Sequence, residues 1–232
     1  MTRPNEVAAV RAGGWALVLA AILFIAAFSY LAATFDYPGV LDRPASEVLP
    51  RLIALGATGR AIWSLYALIP LLLVPAGIGV AIALRAAAPG AARTAAAFAM
   101  ISAFSMMLGL LRWPSIHWEI GRAYATASAT ERASLDVLFA GLNLYLGKFI
   151  GEFVGELALS LFFLLTAYAM LRSIQVPRWL GIGGVLASLI GFVAMFRNVT
   201  PAVAFVADAN NLVLPLWLVI LGMVLARERA RE

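Results

Sequence analysis

The sequence predicts an all-α integral membrane protein that folds as a bundle of six transmembrane helices. Of its 232 residues, 63% are hydrophobic and only 12% are charged, whereas roughly 25% of an ordinary soluble domain is charged. The mean hydropathy of +0.95 indicates the same class. Because apolar segments run along the whole chain and leave no room for a soluble domain, we expect one polytopic domain over residues 1–232, surrounded by a lipid bilayer.

Six apolar stretches are long enough to cross a bilayer. About 20 residues in a helix span a hydrocarbon core of roughly 30 Å. The first stretch is too long for the apolar part of a secretory signal, and no small-residue cleavage site follows it. The predicted spans are approximately Gly13–Phe35, Ala61–Leu84, Thr94–Leu111, Phe149–Leu171, Trp179–Phe196 and Ala204–Ala226.

The distribution of arginine predicts that both termini are cytoplasmic, in a multi-pass protein of a cell inner membrane. The short segments on the side of the termini are dense in basic residues, as the positive-inside rule requires. These residues are Arg3, Arg11, Arg85, Arg93, Arg172, Arg178, Arg227, Arg229 and Arg231. The outer loops and adjoining helix ends hold Arg43, Arg51, Arg60, Arg112, Arg122, Arg132, Lys148 and Arg197. The orientation therefore depends on charge density and on the first helix.

The two longer outer loops contain helical signals of their own. The stretch "PASEVLPRLIAL" has apolar residues at helical spacing, which predicts a short amphipathic helix in the interface. In "SATE", Ser128 and Glu131 match a capping box, so a helix starts there. If it ran on to Leu171, it would be about 65 Å long. Residues 133–146 therefore either continue the fourth helix or form a separate half-helix or partial span.

Polar residues of several predicted helices reach a common depth near the outer surface. Counted from the cytoplasmic arginine of each helix, four residues lie about 28 Å along it, namely Arg112, Glu152, Arg197 and Asp208. Two lie deeper, at about 24 Å, namely Glu156 and Asn211. Charged groups at such depths usually face the bundle interior and pair with one another. With Lys148, the set balances three cations against three carboxylates, which predicts a charge-compensated pocket.

The fourth predicted helix carries a charged stripe beside a glycine stripe. The charged residues are four apart, as are the glycines, so each set follows one side of a helix. The two sets are Lys148, Glu152 and Glu156, and Gly147, Gly151 and Gly155. This spacing predicts an i, i+4 salt bridge between Lys148 and Glu152. The glycines allow another backbone to approach closely, either within the bundle or in a membrane-protein partner or second copy of the chain.

Glu156 is the leading functional candidate and Glu152 the second, because an intramembrane carboxylate needs a partner or a proton. Prolines at 70, 75 and 215 are expected to bend the second and sixth helices beside the pocket. Other polar groups expected around its mouth are Trp113, His117, Asn143, Tyr145, Asn198, Asn210 and Asn211. Some of these residues also have purely structural alternatives. Arg112 and Arg197 are typical interface anchors, Trp113 a belt aromatic, and His117 a headgroup-facing residue.

The composition excludes several classes of protein. The absence of cysteine rules out a disulfide framework, a thiolate metal site and a cysteine nucleophile. One histidine cannot form a multi-histidine metal site or hold haem between two histidines of one chain. We therefore predict no cofactor and no metal. The net charge of +5 is explained by membrane topology, so no nucleic-acid partner is expected.

Four motifs together resemble a known family. They are "RAGGW" at the first helix, "GLLRW" ending the third, "NLYLGKFIGE" entering the fourth and "VPRWLG" opening the fifth. They are similar to the bacterial membrane family catalogued as domain of unknown function 4386. The resemblance implies a small multispanning protein of unassigned activity, with matching positions at Arg112, Trp113, Asn143, Tyr145, Gly147, Gly151 and Glu152. Many members have a histidine after the Gly-Glu pair, where this chain has Phe153.

Three functional hypotheses follow. In the first, the polar pocket binds or transports a small polar or amphipathic ligand, and Glu156 or Glu152 is able to exchange a proton. In the second, the chain is an accessory or regulatory subunit that docks another membrane protein. In the third, it is an intramembrane enzyme that uses carboxylates and His117 for acid–base chemistry. Because no nucleophile elbow, phosphate loop or zinc motif is present, the sequence does not favour an enzyme.

Overall fold

The computed structural model describes residues 4–227, and within this part of the chain there is no β-strand. Six helical segments are long and apolar enough to cross a membrane, which confirms the predicted all-α, six-span class. They are Pro4–Phe35, Gly56–Ala83, Pro89–Thr126, Ala129–Arg172, Arg178–Asn198 and Pro201–Ala226. Arg3, Arg229 and Arg231, used in the topology prediction, lie outside the described residues. The cytoplasmic orientation of the termini stays a prediction.

Within residues 4–227, ten α-helices build these spans and the segments between them. In chain order they are α1 (Pro4–Phe35), α2 (Ala45–Ala54), α3 (Gly56–Leu68), α4 (Leu73–Ala83), α5 (Pro89–Leu111), α6 (Ile116–Thr126), α7 (Ala129–Leu142), α8 (Gly155–Arg172), α9 (Arg178–Ala194) and α10 (Ala204–Ala226). A 3₁₀ turn at Ile69–Leu72, containing Pro70, joins α3 to α4 within the second span. Pro215 lies inside α10. The second span is therefore irregular at Pro70, as predicted, whereas α10 continues as an α-helix through Pro215 and its predicted bend stays a prediction.

The spans form a closed ring in which each packs against the next. Helix α1 packs on α4 and α10, α5 lies between α4 and α8, and α9 lies between α8 and α10. Near the termini the backbones approach closely, because a Cβ on Gly13 would lie 2.6 Å from the Pro75 carbonyl oxygen. A Cβ on Gly14 would lie 2.5 Å from the carbonyl oxygen of Gly222. Small residues thus let α1 pack closely against α4 and α10 in this half of the bundle, which we call the terminal half.

The opposite end carries a cap, defined as residues 36–55 and 116–142. Helix α2 confirms the predicted amphipathic segment, and it packs against α6 and α7. At the start of α7, Ser128 and Glu131 form the predicted capping box. Aromatic contacts hold the cap to the bundle: the ring centroids of His117 and Trp113 are 4.9 Å apart, and those of Tyr37 and Trp63 are 5.5 Å apart. This aromatic core is separate from the core of the terminal half, which is mainly aliphatic and is called the aliphatic core below.

The fourth span is one continuous helical segment of 44 residues, Ala129–Arg172. The alternative of a separate half-helix at residues 133–146 is therefore wrong. The stretch holds no proline, so nothing interrupts the backbone hydrogen bonds. Over Asn143–Val154, however, the segment is a π-helix, with hydrogen bonds from residue i to i+5. Such segments are rare and frequent at functional sites, and this one lies beside the cavity described next.

Candidate functional site

A cavity of about 420 Å³ lies inside the ring of helices, where the aliphatic and aromatic cores meet. All six spans and the first loop of the cap contribute to its lining. Its floor is apolar and buried, and is formed by residues that include Ala20, Pro70, Leu73, Leu159 and Leu218. Its mouth has exposed residues on two sides, namely Pro38, Gly39 and Asp42 in the cap and Ala204 and Asp208 at the start of the sixth span.

An arginine held between two carboxylates forms the centre of the polar wall. Arg197 Nε lies 3.0 Å from Glu152 Oε2, and Arg197 Nη2 lies 3.0 Å from Glu156 Oε1. Asn198 Nδ2 also donates to Glu152 Oε2, at 2.6 Å, and to the Lys148 carbonyl, at 3.2 Å. The alternative that Arg197 anchors the chain at the interface is therefore wrong. Its guanidinium is turned inward because the two acids of the fourth span face it.

Glu156 has unused hydrogen-bonding capacity in this wall. Its side chain is 9% exposed, and Oε1 receives the Arg197 contact. Its second oxygen, Oε2, is buried and has no hydrogen-bond partner among the described residues. A buried oxygen without a donor is costly. Glu156 also lines the cavity.

Lys148 does not form the predicted salt bridge with Glu152. Its Nζ contacts Asp42 Oδ1 at 2.5 Å, across to the first loop of the cap. The i, i+4 prediction is wrong because each member has a partner on a different element, Asp42 for Lys148 and Arg197 for Glu152. The Lys148–Asp42 pair therefore ties the loop at the mouth to the π-helical segment.

Arg112 is buried, with 4% of its surface exposed. Its Nε donates to Asn143 Oδ1 at 3.1 Å, Nη1 donates to the Gly109 carbonyl, and the guanidinium lies 5.0 Å from the centre of the Trp113 ring. Space for the guanidinium exists because Gly147 has no side chain there. The interface-anchor alternative is thus wrong for Arg112 too. Its hydrogen bonds go to neutral acceptors.

Helix α10 adds polar groups on the other side of the cavity. Asp208, Asn210 and Asn211 all line it. Asp208 is exposed at the mouth, and no ion pair forms to it within residues 4–227. The six charges expected to balance all line one cavity, and Asp42 joins them. The lining therefore has four carboxylates against three basic side chains.

Four predicted site residues lie outside the cavity lining. Trp113 and His117 are fully buried in the aromatic core of the cap, with ring centroids 4.9 Å apart. The alternatives that Trp113 is a belt aromatic and that His117 faces lipid headgroups are therefore wrong, because the cap helices cover both side chains. Tyr145 is 64% exposed and points away from the bundle. Asn143 lies behind the lining, where it accepts from Arg112 and donates to the Leu41 carbonyl at 3.1 Å.

An aromatic wall was missed by the sequence reasoning. It consists of Phe24, Phe28, Tyr37 and Tyr66, all of which line the cavity. The Phe28 and Tyr37 centroids are 5.4 Å apart, those of Phe24 and Tyr66 are 5.9 Å apart, and those of Tyr37 and Tyr66 are 6.2 Å apart. Burial, helped by the nearby Glu152 carboxylate, raises the pKa of Tyr37 above its usual value. In an apolar segment, the sequence does not indicate whether an aromatic side chain faces lipid or a cavity.

The glycine stripe of the fourth span packs inside the chain. A Cβ on Gly151 would lie 2.9 Å from the Cα of Gly109, and one on Gly155 would lie 2.8 Å from the side chain of Met106. The prediction that Gly147, Gly151 and Gly155 dock a partner or second copy is therefore wrong for this surface, since their own chain covers it. The alternative of close packing within the bundle accounts for all three.

No metal site is apparent in the part of the chain that the structure describes, since it holds no cluster of three or more histidine, aspartate or glutamate residues placed to bind an ion. The lining of the cavity is charged on one side and apolar on the other.

Fold and site together define a polytopic α-helical membrane protein with a cavity that has both polar and apolar walls. The profile of the family described as a domain of unknown function, DUF4386, matches residues 12–222, and the chain belongs to that family. The resemblance seen in the four motifs is thereby confirmed. Neither a curated protein nor a solved structure matches the chain.

Proposed function

We propose that this protein binds a small amphipathic molecule in the cavity between its six spans. One observation carries the proposal: a single cavity joins a charged wall at its mouth to an apolar floor. Its volume of about 420 Å³ falls within the range of roughly 300 to 1,000 Å³ typical of small-molecule sites. The polar head of the ligand would meet Glu156, Arg197 and Asp208, and its apolar part would contact Leu73 and Leu218.

The packing of the terminal half favours binding over an open channel. Gly13, Gly14 and Gly77 bring neighbouring helix backbones into close contact there. The cavity is accessible from the cap end. If the arginine-rich terminal half faces the cytoplasm, the mouth of the cavity opens on the non-cytoplasmic side of a cell inner membrane. An accessory subunit is less well supported, because the glycine stripe that suggested a docking face is covered.

The test compares two tryptophan substitutions on α10. Leu214 lines the cavity, whereas Leu216, two residues on, is 61% exposed and outside the lining. Leu214→Trp would fill the cavity, and Leu216→Trp adds the same ring to the outer surface. Binding is measured by isothermal titration into protein reconstituted in lipid nanodiscs, with empty nanodiscs subtracted. The probes are 4-phenylbutylamine, 4-phenylbutanol and 4-phenylbutyrate, which share one apolar body.

We expect saturable binding of at least one probe to the natural protein and to Leu216→Trp, and a loss of at least tenfold in Leu214→Trp. If no probe binds above empty nanodiscs, or if both variants bind as well as the natural protein, the proposed function is wrong.

A further inference from the structure

We propose that the ligand is an organic cation, a protonated amine on an apolar body. This inference rests on the proposed function and specifies the ligand class for the same cavity. The first step is the charge of the lining, where four carboxylates face three basic side chains. Two of the basic groups are already engaged by carboxylates, Lys148 by Asp42 and Arg197 by both Glu152 and Glu156.

Two carboxylates of the lining are incompletely paired. Glu156 Oε2 is buried in the wall without a donor among the described residues, and Asp208 stands at the mouth without an ion pair in the same part of the chain. An ammonium group carries three N–H donors and one positive charge. It would therefore satisfy Glu156 and offset the extra carboxylate, whereas an anion would add a further negative charge beside Glu152 and Glu156.

The aromatic wall provides the second independent feature. Phe24, Phe28, Tyr37 and Tyr66 line the same cavity as the carboxylates. A cation near the face of an aromatic ring is stabilised by the electron density of that ring, more strongly when it is desolvated. Aromatic rings beside carboxylates form a recognised arrangement for binding ammonium groups, and the rings also cover an apolar body.

Arg112 is the feature that would favour an anion. It lines the cavity, and its hydrogen bonds go to the neutral acceptors Asn143 and Gly109. Those contacts, together with the Trp113 ring, occupy its Nε, its Nη1 and one face of its guanidinium. A carboxylate ligand that reached Arg112 would enter the same cavity as Glu152 and Glu156. The matched butyrate probe tests this competing class directly.

The experiment compares the three phenylbutyl probes, which differ only in a cationic, neutral or anionic head. We expect 4-phenylbutylamine to bind at least tenfold more tightly than 4-phenylbutanol, and 4-phenylbutyrate to bind most weakly. Glu156→Gln should reduce the preference for the amine over the alcohol to less than threefold. Asp208→Asn, at an exposed position where folding is not at risk, should reduce the same preference by at least threefold.

Glu47→Gln is the matched control, because Glu47 is an exposed carboxylate of the cap outside the cavity lining. It should leave the amine preference unchanged. If the alcohol or the butyrate binds as tightly as the amine, or if Glu47→Gln lowers the preference as much as Asp208→Asn, the ligand class is wrong. In that case alcohol binding lost in Leu214→Trp would still support the proposed function, so the two failures are distinguishable.

Discussion

Arg197 contacts Glu156 at 3.0 Å, from the end of the fifth span to the middle of the fourth. The same guanidinium holds Glu152 through its Nε. Glu156 is nearly buried, so this pair differs from solvent-exposed ion pairs, which contribute little to the free energy of unfolding. Removal of the arginine would leave two carboxylates in a poorly solvated wall.

We therefore expect Arg197→Met to destabilise the fold by about 3 kcal/mol or more, as found when one partner of a buried ion pair is removed. Arg122→Met is the control, because Arg122 forms an exposed pair with Glu119 and should cost about 1 kcal/mol or less. Thermal unfolding in detergent measures both. Adding Glu152→Gln and Glu156→Gln to Arg197→Met should recover much of the loss. No recovery in this triple variant would mean that Arg197 acts through packing.

The contact between Gly109 and Gly151 predicts a steric effect. A Cβ on Gly109 would lie 2.5 Å from the Cα of Gly151, so α5 and the fourth span would have to separate. Gly109→Ala should cost about 1 to 3 kcal/mol, as overpacking does in other tightly packed interiors.

Gly141→Ala is the matched control, since no atom lies within 4 Å of a Cβ placed there. It should stabilise α7 by up to about 1 kcal/mol through helix propensity. Unfolding curves of the two variants, recorded side by side, check the prediction. Equal effects of the two substitutions would contradict the close approach of the two helices.

Asn143 joins Arg112 to the loop at the mouth of the cavity. Its amide accepts from Arg112 Nε and donates to the Leu41 carbonyl. Asn143→Leu should cost about 1 to 3 kcal/mol, because both groups lose a partner. It should also speed hydrogen exchange over residues 38–43. Tyr145→Leu, at an exposed position in the same segment, should change stability by only about 0.5 kcal/mol. Unchanged exchange in the loop would show that Asn143 does not tether it.

The raised pKa of Tyr37 predicts a dependence of stability on alkaline pH. When a folded-state pKa exceeds the unfolded value, the folded state holds more protons once the pH passes the unfolded value. The contribution of Tyr37 is therefore complete below pH of about 10 and is lost as the pH rises further. Melting temperatures between pH 8 and pH of about 11 should fall less steeply in Tyr37→Phe than in the natural protein. Parallel slopes would contradict this role for Tyr37.

The sequence by itself determined the class of the protein, its six spans and the grouping of its inner charged residues. These follow from local properties: the length of apolar runs, the rise per residue of a helix, and the cost of charge in a bilayer. The capping box at Ser128 and the helix in "PASEVLPRLIAL" are local in the same sense.

Only the tertiary structure decided which charges pair and which side chains face the cavity. Lys148 pairs with Asp42, which is 106 residues away in the sequence, and Arg197 pairs with Glu152, which is 45 residues away. Trp113 and His117 are buried beneath the cap helices. Four aromatic residues that the sequence did not single out line the cavity. The physical reason is that periodicity defines the faces of a helix, while its rotation and neighbours depend on how all six helices pack. The π-helical segment alters that rotation where Lys148 and Glu152 lie.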